Sequence, residues 1–204
     1  QYGDNGAIYA VEDQTPDRLL YMFDANMDGS IDPLTEVTET YNDTVNPQNI
    51  GSPRAITLIP REMSIGTAYC DPAVVNSTGQ PGTLEALGSL VAASNSVTLR
   101  AASLPLGEFG YFLNGTGSTS VPMAGGSAGT LCVGTSIGRY NKIAEIFNSG
   151  TLGTGSLVLD LNSTPTPTVP TQVLAGQTWY FQCWYRDTAQ TSSNFTNGVQ
   201  ITFQ

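Results

Sequence analysis

The chain has 204 residues, seventeen acids against seven bases, a formal net charge of −10, three cysteines and no histidine. So acidic a chain lacks the basic face that nucleic-acid binding needs. Without histidine there is no Ser–His or Cys–His nucleophile pair and no commonest zinc ligand. Low charge and abundant Gly, Ser and Thr describe short strands joined by turns, with length for one β-domain plus an extension.

The acid is unevenly placed. Residues 1–50 hold ten of the acids and one base, Arg18, whereas residues 51–204 hold seven acids and six bases. Two physical units are therefore expected, an acidic head (1–50) and a nearly neutral body (51–204). Gln1 reads as a mature end left after processing, so a secreted protein is expected. No apolar run approaches the roughly 18 residues of a membrane helix.

In the head, Gly6–Glu12 reads as a strand close to the chain end. Next comes Asp24-Ala25-Asn26-Met27-Asp28-Gly29-Ser30-Ile31-Asp32. Oxygen ligands at alternate positions followed by glycine are the spacing of a calcium loop. The expected ligands are Asp24, Asn26, Asp28, the Ser30 carbonyl, Asp32 and Glu36. Counting from Asp24, position twelve is Thr35 where an EF-hand has its bidentate Glu. Both flanks, Arg18–Phe23 and Val37–Tyr41, are rich in β-formers, although Thr15-Pro16-Asp17 could start a short helix and leaves the first flank open. The motif is thus read as a calcium-clamped turn between extended segments, set against a plain solvated acidic turn.

From Ala55 onward the pattern is all β. Strands are expected at 55–59, 66–75, 86–93, 96–102, 108–113, 130–134, 142–147, 155–161, 177–186 and 198–203, with Gly, Pro, Asn and Ser clusters between them. Such spacing suits an antiparallel β-sandwich. Residues 115–129 form a Gly/Ser/Thr-rich loop, and 163–170 an extended Thr/Pro run. Five Asn-X-Ser/Thr sequons, at Asn42, Asn76, Asn114, Asn162 and Asn194, point to surface glycosylation.

In Thr178–Tyr185, alternation puts Trp179, Phe181, Cys183 and Tyr185 on one face, the expected core, and Tyr180 and Trp184 on the other. Cys183 is then a buried small hydrophobe, which leaves Cys70 and Cys132 to form a disulfide; three reduced thiols are the alternative. Trp184 and Tyr180 could stack on sugar, although packing is the commoner use of such a face. Glu62, Asp71, Glu85, Glu108, Glu145, Asp160 and Asp187 fall in no catalytic motif. Asp187 next to Arg186 suggests a strand-end pair.

Tyr69-Cys70, Asn76–Gly79, Leu104-Pro105 before Gly110–Phe112, Leu131-Cys132, Ile137–Arg139, Thr178–Gln182, Trp184–Asp187 and Asn194–Thr196 carry a resemblance. Residues 69–204 resemble a β-rich domain recurring in secreted proteins of environmental bacteria, with the Trp-Tyr-Arg-Asp block as its most specific part. Cys183, inside that block, is a departure from it. Residues 18–36 resemble the Asp-X-Asn-X-Asp-Gly calcium turns of secreted bacterial repeat proteins, and the overall layout is similar to subunits of extracellular filaments. The resemblance implies a non-catalytic extracellular module.

The leading expectation is a structural subunit of an extracellular bacterial filament or surface assembly. It would polymerise head to tail with copies of itself, the 6–12 strand adding to a neighbour's sheet edge through Ile8, Tyr9 and Val11, and be stiffened by calcium. The runner-up is a secreted calcium-dependent adhesin that binds glycans. A two-carboxylate glycosidase comes third.

Overall fold

A computed structural model describes residues 64–190 and 192–204 and, before them, the backbone of four strands. The chain forms two compact units, Gln1–Met63 and Ser64–Gln204; the sequence reading drew its line at residue 50. Both units are antiparallel and built of strands.

The first unit contains β1 (Ala7–Glu12), β2 (Arg18–Met22), β3 (Val37–Asn42) and β4 (Thr57–Ile59), ordered β3-β2-β1-β4. This corrects the expectation of a free strand. Ile8 is paired with Met22 on one side and Leu58 on the other, Tyr9 with Tyr21 and Thr57, and Val11 with Leu19. The physical reason is local: a hairpin to β2 closes a far shorter loop than recruitment of another chain, and Thr57–Ile59 fills the remaining edge. Met22 is the partner of Val37. Asp24, Asn26, Asp28, Ser30, Asp32 and Glu36 themselves lie outside the described residues.

The second unit contains β5 (Ser64–Ile65), β6 (Thr67–Tyr69), β7 (Thr83–Gly88), β8 (Val97–Ala102), β9 (Phe109–Gly115), β10 (Gly117–Pro122), β11 (Thr130–Gly134), β12 (Gly138–Tyr140), β13 (Phe147–Asn148), β14 (Gly155–Val158), β15 (Thr178–Asp187) and β16 (Ser192–Thr202). One sheet runs β12-β9-β15-β16-β6, with β13 also on β9; a second runs β14-β8-β7-β5; β10 and β11 form a hairpin. The chain changes sheet at Gly66, between β5 and β6. Its φ is +79°, and a Cβ there would stand 2.5 Å from the Gln200 carbonyl oxygen, so only glycine fits. That turn, and positive φ at Cys70, break the single strand expected over 66–75.

The core lies between the two sheets. β7 and β8 supply Leu84, Ala86, Val97, Leu99 and Ala101. The larger sheet supplies Phe112, Phe181, Cys183, Tyr185 and Ile201, and Phe203 follows just after β16. Truncating a side chain such as Phe181, fully buried, would cost about 3–5 kcal/mol. Asn197 stitches the sheets polarly. Its Oδ1 accepts from Leu84 N–H at 2.7 Å and its Nδ2 donates to Leu84 O at 3.1 Å, so one side chain does the work of a paired peptide group.

Burial pushes the Cys183 thiol well up, and the Tyr140 and Tyr185 phenols above the usual tyrosine value. These groups keep their protons in the folded chain at pH values where the unfolded chain releases them. Stability is therefore complete below the unfolded pKa values and falls as pH rises, from about pH 8.5 for Cys183 and about pH 10 for the tyrosines. Each group contributes a slope of about 1.4 kcal/mol per pH unit. Urea midpoints are expected to be level near neutrality and to decline above about pH 8.5. In Cys183→Ala the decline should begin near pH 10 instead. An identical onset in the two proteins would contradict the assignment.

Candidate functional site

Strand β15 decides what both faces of the larger sheet carry. Trp179, Phe181, Cys183 and Tyr185 are buried in the core, so alternation sends Tyr180, Gln182 and Trp184 to the outer face. Register extends these positions into rows, because directly paired residues share a face. Gln182 is opposite Leu113, which is opposite Arg139. Trp184 is opposite Tyr111, and Tyr180 is opposite Gly115.

The β10–β11 hairpin, in a segment the sequence presented largely as loop, covers part of this outer face. Gln182 is its main anchor. The fully buried amide accepts from Cys132 N–H at 2.8 Å and donates to Thr130 O at 2.9 Å and Thr196 O at 2.8 Å. A disulfide joins Cys70 to Cys132 with Cα atoms 6.4 Å apart, and Cys183 is free and buried. Tyr69 Oη donates to Cys132 O at 3.2 Å. At Gly115 an added Cβ would meet the hairpin backbone, Gly134 O, at 2.3 Å, so glycine permits the close approach.

At the hairpin's edge the outer face opens into a groove of about 210 Å³, lined among others by Tyr111, Leu131, Ile137, Arg139, Trp184 and Phe195. The Tyr111 and Trp184 rings lie 5.0 Å apart, tilted by 34°, and both are half-buried. Their pairing follows from register, with bulk packed against bulk across β9 and β15. Arg139 is exposed on the β12 edge and is the one charged side chain in the lining. Among the described residues it has no ion-pair partner. The groove thus joins an aromatic wall to a guanidinium without an ion-pair partner among the described residues.

The acids the sequence offered for catalysis are engaged separately. Glu85 pairs with Arg100 at 3.9 Å, and Glu145 with Lys142 at 3.6 Å. Glu108 accepts from the Thr188 hydroxyl. Asp160 accepts from Asn162 N–H at 3.0 Å, Asp71 is exposed, and Glu62 lies outside the described residues. Asp187 corrects the expected pair with Arg186. Alternation turns Arg186 to solvent, while fully buried Asp187 accepts at Oδ2 from Ser77 N–H at 3.0 Å. Among the described residues no three His, Cys, Asp or Glu side chains gather as a metal site. No helix among them is long and apolar enough to cross a membrane.

Sequence reasoning named Trp184 but missed Tyr111, Arg139 and Gln182. An alternating strand around Trp184 signals an outer aromatic face; its partners come only from register. The chain matches no family model, no curated protein and no solved structure.

Proposed function

We propose that the chain is a non-catalytic extracellular recognition module whose body binds glycans in the groove, with calcium serving the head. The observation that carries this reading is the Tyr111–Trp184 pair beside Arg139, which has no ion-pair partner among the described residues. Apolar C–H faces of a sugar ring pack on aromatic side chains, and a few placed polar groups fix orientation. A guanidinium fork binds a carboxylate through two parallel N–H donors, so sugars carrying a carboxylate suit the site best. The body's near balance of acids and bases leaves Arg139 free to attract such a ligand. The head's calcium motif supports a metal-held turn there.

Titration calorimetry against neutral and uronate-containing oligosaccharides tests the reading. Trp184→Ala should weaken binding of both at least tenfold, about 1.4 kcal/mol. Arg139→Gln should weaken the uronate alone. If the native protein binds none of these sugars, the reading fails.

The filament subunit is the second reading, favoured by a different feature. Loops 104–109 and 143–153 are hydrogen-bonded to each other, with Gly107 N–H to Gly150 O and Ser149 N–H to Glu108 O. They expose Leu106, Phe109, Ile143, Ile146 and Leu152, apolar residues suited to contact with another copy. Because β1 is paired on both sides, such a polymer would not rest on donation of that strand. Negative-stain images with and without a calcium chelator distinguish the readings: single particles in both would exclude the polymer.

A further inference from the structure

The body contains four Asn-X-Ser/Thr sequons, and the structure separates them by what each amide nitrogen does. Asn76 is 3% exposed, and its Nδ2 donates to Ser103 O at 2.7 Å and to Tyr185 Oη at 3.3 Å. Asn114 is fully buried, with Nδ2 donating to Pro165 O at 3.0 Å. Asn194 is also fully buried; its Nδ2 donates to Val74 O at 3.3 Å and Val75 O at 3.4 Å. In all three, the nitrogen that would carry a sugar is spent on the backbone, in space that admits no extra ring.

Asn162 differs in each respect. It is exposed, in the turn closed by Ser163 N–H donating to Asp160 O at 3.1 Å. Its backbone N–H is held by Asp160 Oδ1, and its side-chain oxygen accepts from Gln172 Nε2 at 3.1 Å. Its Nδ2 makes no hydrogen bond among the described residues. The amide plane is thus fixed through its oxygen while the nitrogen makes no bond there, beside the exposed run Pro167–Pro170.

We infer that Asn162 is the body's site for an N-linked glycan, the one sequon there whose folded position accepts a sugar. The donor class is an oligosaccharide on a lipid pyrophosphate. The bond from its anomeric carbon to the pyrophosphate oxygen breaks, the carbon–Nδ2 bond forms, and the amide gives up one proton; nothing is oxidised or reduced. Modification before folding does not change the outcome. A sugar on Asn76, Asn114 or Asn194 would replace one of the two Nδ2 protons and would need room for a ring at a side chain that is buried, so chains carrying one there would not reach this fold.

The test is secretion of the full chain from a host with N-glycosylation, followed by glycopeptide mapping of the folded, soluble fraction. One glycan is expected in the body, on the peptide containing Asn162. Asn162→Gln should remove it and leave the melting temperature of the deglycosylated protein unchanged. A folded fraction with Asn162 bare, or with sugar on Asn76, Asn114 or Asn194, would overturn the inference.

Discussion

Replacing Gln182 with leucine should destabilise the body by roughly 3–5 kcal/mol, though the two side chains are close in volume. The substitution leaves Cys132 N–H, Thr130 O and Thr196 O without the amide that satisfies them. Each buried polar group so abandoned costs about 1–3 kcal/mol. The loss falls on one place, because Thr130 and Cys132 belong to β11 and Thr196 to β16. Gln182 therefore welds the hairpin to the sheet's outer face. Urea titration should show a lower midpoint, and the Cys132 amide should exchange faster with solvent. Leu131 lines the groove, so sugar affinity should fall with the hairpin's order. An unchanged midpoint would show that the hairpin is held by its disulfide and apolar contacts alone.

That anchor marks where sequence reasoning stopped. Along β15, alternation of large apolar residues forecast both faces, since burial of one face is a local, period-two pattern. Strands β8, β9, β11 and β15 fall within a few residues of their expected spans for the same reason. The hairpin did not announce itself. β10 reads Gly-Ser-Thr-Ser-Val-Pro and is exposed or half-buried throughout, so it carries no core-facing period. Its place depends on a glutamine and a cysteine distant in sequence, which alternation cannot reveal. The run 142–147 misled in the opposite direction. Its apolar residues Ile143 and Ile146 are exposed, and pairing begins only at Phe147.

The asparagines show a second limit. Five sequons suggested a sugar-coated surface, yet Asn76, Asn114 and Asn194 are buried amides that satisfy backbone groups. In a sandwich with bulges and sheet changes, the ladder leaves carbonyls unpaired, and short amide side chains reach them. The same composition that reads as glycosylation is, at these positions, internal structure. The groove was half legible: Trp184 lay on the outer face by alternation, but Tyr111 and Arg139 join it through strand pairing between segments far apart in the chain.

Removing the disulfide should have an effect of similar size to Gln182→Leu. Cys70 and Cys132 are 62 residues apart, and closing a loop of that length removes unfolded-state entropy worth about 4 kcal/mol. The double variant Cys70→Ser with Cys132→Ser should lose stability near that amount, and native protein unfolded in reductant should match it. The bond also ties β11 to the segment just after β6, the edge strand of the larger sheet. Its loss should therefore loosen the hairpin even where the chain stays folded. Gln182 grips the backbone of the same Cys132, so the two changes share a target. Combined, they should cost less than the sum of the separate losses. Cys183 provides the internal control. Fully buried and free, it should resist alkylation in the native protein and become the one labelled cysteine when the chain is unfolded without reductant. Labelling of Cys70 or Cys132 under that condition would overturn the pairing, and a reduced protein as stable as the oxidised one would show that the loop closure contributes nothing.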